Sequence, residues 1–253
     1  MFQFNPPKDF LHNRYVLITG ASDGIGKTCA ETFAGYGANL ILLGRSQEKL
    51  EKLFDRLDVL APGRITIQPV DFATATTEDY KVLAEHLNAQ TSVLHVLLHN
   101  AALLGTRTPI QYYPESDWET LMKVNVGSGF YLTKALLPLL LAADSARILF
   151  TSSSVGRKGR AWWGGYGVSK FAVEGLMQTL ADEVGTTTSI KVNSINPGGT
   201  RTAMRQTAYP AENPASQPTP ESLMPVYLYL LSEQAAAIHG KALDVRNFDP
   251  ATV

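Results

Sequence analysis

The chain has 253 residues, 45% hydrophobic and 18% charged, so it carries enough apolar material for a sizeable core and lacks the charge excess of a disordered segment. A formal net charge of −1, with a pI near 6.5, gives no electrostatic basis for binding nucleic acid or an anionic membrane and leaves small molecules as the expected partners. The single cysteine, Cys29, excludes an intramolecular disulfide, and no Cys-x-x-Cys or His-Glu-x-x-His segment suggests a metal site.

Residues 1–14 read as an N-terminal extension. Their start lacks a basic segment followed by an apolar run, so no signal peptide is expected and the expected compartment is the cytoplasm. The first strand, 15–19, runs directly into Thr19-Gly-Ala-Ser-Asp-Gly-Ile-Gly26, which opens a helix over 24–36. Gly20 suits a tight turn, Gly24 lets backbone approach a pyrophosphate, and Gly26 allows close helix–strand packing. Ser22, Asp23 and Ile25 lie in the same loop, and the helix N-terminus supplies free N–H groups and positive potential. That context points to a bound dinucleotide, the alternative being a purely structural glycine turn.

A second strand, 39–43, ends in Leu43-Gly44-Arg45-Ser46, where an enzyme using NAD would place an acid for the ribose 2′-hydroxyl. A guanidinium there binds a 2′-phosphate, with the Ser46 hydroxyl assisting, so NADP(H) is the preferred cofactor and NAD(H) stays open. Two observations weigh on the other side: Asp23 would repel the phosphate, and Arg45 also reads as an exposed charge at a helix start. The helix 47–60 and the strand 65–70 follow, then Asp71-Phe72. A helix over 77–89 leads to a strand at 93–98, and then to His99, Asn100 and Ala101. His99 has no partners at ligand spacing and reads as a buried, hydrogen-bonded histidine.

The most leucine-rich run, 135–143, is nine residues with Pro138 inside, too short to cross a bilayer, so no membrane association is expected. The strand 147–151 is followed by Ser152, Ser153 and Ser154. Arg157, Lys158 and Arg160 then form a basic loop, which either steers an anionic substrate or is simply solvated. Trp162 and Trp163 are an apolar substrate wall or a subunit contact. Tyr166 and Lys170 stand four apart, on one face if the segment is helical, and the ammonium is expected to draw the phenol down from its usual value of about 10 toward neutrality. Tyr166 is thus the candidate acid/base. After a strand at 190–195 come Asn196-Pro197-Gly198, Thr200 and Thr202. Residues 201–220, with four prolines and no clear periodicity, read as a mobile substrate loop, a candidate lid.

Apolar strands alternating with helices almost unbroken to Val245 imply one domain over 1–253. The expected fold class is α/β: a Rossmann-type, doubly wound parallel sheet of about seven strands with helices on both faces.

Gly20-x-x-x-Gly24-x-Gly26 with Tyr166-Gly-Val-Ser-Lys170, in this order and thirteen residues after Ser153, closely resembles the short-chain dehydrogenase/reductase family over nearly the whole chain. Asp71-Phe72, Asn100-Ala101, Asn125 in Lys-Val-Asn-Val, and Asn196-Pro197-Gly198 leading to Thr202 extend the match. His99 and Ala102 depart from the usual Asn-Asn-Ala-Gly pattern. The stretches 19–26, 151–156 and 196–204 are similar to the bacterial YciK-like subgroup of oxidoreductases. The resemblance implies hydride transfer between a nicotinamide and a carbonyl or alcohol, with Ser153 holding the substrate oxygen and Tyr166 as proton donor in reduction. It further implies that Lys170 binds the nicotinamide ribose and Asn125 positions a water in a proton relay. Asp71 would contact adenine, Asn100 and Ala101 the adenosine ribose, and Thr202 the carboxamide or a phosphate. A homodimer or homotetramer is implied as well. Two other readings stay open: a dinucleotide-sensing protein with little turnover, and an epimerase or dehydratase.

Overall fold

The structure is a computed structural model and describes residues 2–253. Its strands are β1 (Tyr15–Thr19), β2 (Asn39–Gly44), β3 (Ile65–Pro69), β4 (Val96–His99), β5 (Ala146–Thr151), β6 (Ile190–Asn196) and β7 (Ala242–Asp244). They form one sheet in the order β3-β2-β1-β4-β5-β6-β7, parallel throughout. Side chains alternate across such a sheet, so each strand feeds two cores. Val16 and Ile18 of β1 and Leu40 and Leu42 of β2 enter one; Leu17, Ile41 and Leu43 enter the other.

Helices cover both faces. Helix α1 (Gly24–Gly35) contributes Phe33 to the first core, and α2 (Gln47–Asp58) contributes Leu50, Leu53 and Leu57. Helix α3 (Thr77–Gln90) sends Leu83 and Leu87 to the second core, started by a capping box between Thr76 and Asp79. Helices α4 (Glu115–Met122) and α5 (Ser128–Leu141) are joined without a break by a π-helical turn, Lys123–Gly127, and Leu132 and Leu136 of α5 pack beneath the sheet. The 27-residue run Glu115–Leu141 would by length and composition pass for a membrane span, and half of its most apolar stretch is buried in the fold. Helix α6 (Gly164–Gly185) adds Val173 and Met177 to the second core, whereas α8 (Met224–Leu230) adds Tyr227 to the first.

Three segments differ from the sequence expectations. Leu94 N–H bonds to Leu139 O at the end of α5, so β4 begins at Val96 rather than at 93. Strand β7 is only three residues long and carries no readable alternation. The proline-rich segment holds a helix, α7 (Ala203–Ala208), and is closed on itself: Arg201 donates to the carbonyls of Pro214, Ala215 and Gln217 at 3.0–3.3 Å. The N-terminal extension is packed, with Phe2 edge-on to Tyr229 and Phe248 at 5.2 and 5.1 Å and Leu11 buried.

Candidate active site

The sheet order reverses between β1 and β4, and in doubly wound sheets the crevice at the carboxyl ends of such strands takes the ligand. Here that crevice is a cavity of about 500 Å³ running from Arg45 and Asp71 to Trp163 and Ala208.

At its first end the glycine loop does what its spacing implies. Gly20 has φ +63°, and a Cβ on it would stand 2.9 Å from Ala101 Cα; one on Gly26 would stand 2.3 Å from Gly20 O, inside the turn. Gly24, φ +51°, lines the cavity, and its added Cβ would meet Thr202 Cγ2 at 3.2 Å, in space a ligand would otherwise share. Ser22, Asp23, Ile25, Arg45, Asp71, Phe72, Asn100, Ala101, Pro197, Gly198, Thr200 and Thr202 line the same cavity. Asn100 also staples the strands, its Nδ2 donating to the carbonyls of Thr19 and Gly20 at 3.3 Å. Ser46 is not part of the lining: its Oγ caps α2, accepting from Lys49 N–H at 3.3 Å.

Asp23 proves to be paired with a cation. Its Oδ1 caps α1 by accepting from Gly24 N–H at 2.7 Å, and its Oδ2 pairs with Lys49 Nζ at 3.1 Å. Burial works to raise this carboxyl, but the bonds from Lys49 and Gly24 outweigh it and hold it below the ordinary carboxylate range. Lys49 was not among the sequence candidates. A lysine in the first turn of α2 opposes the helix dipole, which is the signal that could have singled it out.

In the middle of the cavity Ser153, Tyr166 and Lys170 come together. The neighbouring Ser153 hydroxyl draws the Tyr166 phenol down, yet burial outweighs that pull and pushes it up to about 12. The expected lowering by Lys170 is therefore not found. Lys170 Nζ lies 5.6 Å from the Tyr166 ring centre and donates to Thr151 O at 2.7 Å. Lys170 is only 3% exposed, and burial brings its ammonium down to about 8, against the opposing pull of Glu174. Glu174 continues the four-residue spacing of Tyr166 and Lys170, accepts from Ser194 Oγ at 2.6 Å and pairs with Arg157 at 3.3 Å. Of the neighbouring serines, Ser152 also lines the cavity. It is 2% exposed, and its Oγ has no partner among the described residues; Ser154 faces elsewhere.

Asn125 sits in the π turn and does not line the cavity. Its Oδ1 accepts from Leu103 N–H at 2.7 Å, and its Nδ2 donates to Leu103 O and Ser169 Oγ at 2.9 and 3.0 Å. It ties the loop after β4 to α6. The basic loop is not at the site either. Arg157 is bound by Glu174, Asp244 and Leu243 O, while Lys158 and Arg160 are exposed and outside the cavity lining. The two tryptophans separate: Trp163 lines the cavity against Tyr166 at 5.7 Å, and Trp162 is 57% exposed with φ +73°. His99 is buried, bonded to Thr133 Oγ1 at 2.8 Å and stacked on Phe150, and burial drives its imidazole down to about 3.

The last part of the cavity is apolar. Leu104, Trp163, Met204 and Ala208 cluster with Tyr166 and form its walls, a feature that sequence reading anticipated only in Trp163.

Comparison with known proteins agrees with this geometry. The family model described as short chain dehydrogenase matches residues 14–213. The chain is 45% identical over 243 residues, 96% of both chains, to YciK of Escherichia coli strain K12, which is named as an uncharacterized oxidoreductase. A solved short chain dehydrogenase from Escherichia coli CFT073, in complex with NADPH, is 46% identical, with a TM-score of 0.92 over 95% of this chain and 100% of its own. One from Shigella flexneri, complexed with NADP, is 45% identical, with a TM-score of 0.92 over 94% and 99%.

Proposed function

The chain belongs to the short-chain dehydrogenase family, and from that membership we propose that it is an NADP(H)-dependent oxidoreductase interconverting a carbonyl compound and its alcohol, with Tyr166 as acid/base. The observation that carries this reading is the meeting of Ser153, Tyr166 and Lys170 in a cavity that continues to the glycine loop. The complexes of the two similar chains with NADPH and NADP support the phosphate-bearing cofactor.

The residues present fit that cofactor, because a Cβ at Gly24 would crowd the loop and the N-terminus of α1 opens on the cavity. Gly20 to Gly26, Ser22 and Ile25 would hold its pyrophosphate, and Arg45, with Lys49 masking Asp23 and Ser46 beside it, the 2′-phosphate. Asp71 and Phe72 would hold the adenine, Asn100 and Ala101 its ribose, Lys170 the nicotinamide ribose, and Pro197, Gly198, Thr200 and Thr202 the carboxamide end. When bound, the cofactor supplies or accepts the hydride.

The chain's own groups handle the oxygen. Ser153 Oγ holds the substrate oxygen as negative charge grows on it, with the unpartnered Ser152 Oγ within the same lining. Tyr166, kept neutral by burial, gives its proton to that oxygen in reduction. Lys170, held by Thr151 O, stands behind it. Asn125 spends both Nδ2 hydrogens on Leu103 O and Ser169 Oγ, and its place in the π turn beside α6 puts it where it would position the relay water. We place the reaction in the cytoplasm and in a dimer or tetramer, in keeping with the family to which the chain belongs.

Tyr166→Phe tests the assignment, since it removes the transferable proton and little volume. NADPH binding should persist while kcat falls by roughly 10²–10⁴ with any carbonyl compound that oxidises NADPH. Near-normal kcat removes Tyr166 from the mechanism. Net NADPH consumption also separates this reading from a sensor or an epimerase, neither of which uses up cofactor.

A further inference from the structure

We infer that the carbonyl substrate is neutral and largely apolar, and that the proline-rich segment enforces this by withholding its one cavity-facing cation; the inference rests on the oxidoreductase reading above. The charged side chains lining the cavity, among the described residues, are Asp23, Arg45, Asp71, Lys170 and Arg205. The first three sit after β1, β2 and β3, on the cofactor side of the crevice, and Lys170 is bound to Thr151 O. Arg205 of α7 alone remains to greet a substrate charge, and it is doubly engaged. Its Nε and Nη2 donate to the two Glu212 carboxylate oxygens at 2.7 and 2.6 Å, and its guanidinium stacks 3.8 Å over the Tyr209 ring. A bidentate pair of this kind satisfies both the charge and the donors.

Around the Tyr166 phenol the walls are Leu104, Trp163, Met204 and Ala208. Arg107 stands outside that lining. Its guanidinium lies 4.7 Å from the Trp163 ring and 5.0 Å from Tyr209, and it donates to Ala208 O, which fastens α7 over the apolar end. A carboxylate or phosphate entering here would lose its hydration and find no unengaged cation in the lining. A ring or alkyl chain would instead gain by burying its apolar surface against these walls. In the reduction the electron pair comes from NADPH as hydride, forming the new C–H bond, and the proton on oxygen comes from Tyr166.

The test uses matched pairs that differ only in charge: cyclohexanone with 4-oxocyclohexanecarboxylate, acetophenone with 4-acetylbenzoate, and hexanal with 6-oxohexanoate. For each, NADPH oxidation and quenching of tryptophan fluorescence in the NADPH-saturated protein are measured. Neutral members should be favoured at least tenfold in kcat/KM or in binding. Glu212→Gln, which frees Arg205, should shift the ratio toward the anionic members by about tenfold. Preference for anionic members in the wild type, or failure of the saturated protein to bind any member, overturns the substrate class. Failure to bind NADPH at all overturns instead the reading beneath it.

Discussion

Lys170 is a buried cation held between a carbonyl and a carboxylate-bearing turn, and its titration has consequences for both activity and stability. Its folded value of about 8 lies below the unfolded value of 10.5. Below pH 8 both states carry the proton, and the burial cost is present in full. Between 8 and 10.5 the unfolded state binds more protons, so this group adds stability as pH rises through that window. Urea unfolding should accordingly show Lys170→Met faring better against the wild type at pH 7 than at pH 10; the opposite order contradicts the sign. If charged Lys170 holds the cofactor ribose, reductive kcat/KM declines above about pH 8, and a flat profile to pH 10 rules that out. Asp23 and Lys49 make a second residue-scale prediction. Lys49→Ala should weaken NADPH binding and leave NADH nearly unchanged, because it unmasks the carboxylate, and adding Asp23→Asn should restore most of the loss; calorimetric titration of the variants checks it. Tyr166, Lys170 and the glycines were legible because their spacing is local. Lys49 and Glu174 were not, since their partners Asp23 and Arg157 meet them only through the fold.

Element by element, close approach decides what a glycine is for. Gly26→Ala would place a methyl 2.3 Å from Gly20 O, forcing the first turn of α1 away from β1, with a loss of about 1–3 kcal/mol and of NADPH binding. Gly175→Ala, on an exposed turn of α6 with nothing within 4 Å, should instead raise stability by about 0.5–1 kcal/mol. Denaturant midpoints for the pair check both signs. The longer strands and helices were readable as continuous apolar runs separated by segments of helical length, as with β1, β2 and α2. β4 started late because Leu94 N–H is taken by Leu139 O, and α7 stayed hidden because six residues among prolines show no helical period. The apolar end of the cavity was equally hidden: Leu104, Met204 and Ala208 come from separate segments, and only the folded chain brings them to Tyr166.

At the scale of the whole molecule, α5 and α6 leave Phe130 and Phe171 about half exposed, at 46% and 45%. The proposed dimer or tetramer would cover such side chains. Sedimentation should give two or four times 27.5 kDa, reduced to one in Phe171→Asp if that face is the contact. The sheet order, the crevice at its reversal and the glycine loop converge on a dinucleotide, and Arg45 at the end of β2 on one bearing a 2′-phosphate. The most direct test is calorimetric titration of the purified protein with NADPH and with NADH at one ionic strength, repeated on Arg45→Ala. The prediction is tighter binding of NADPH, by roughly 2 kcal/mol, a preference that collapses in the variant while NADH binding stays as it was. Equal or tighter binding of NADH, or no binding of either, would contradict the account.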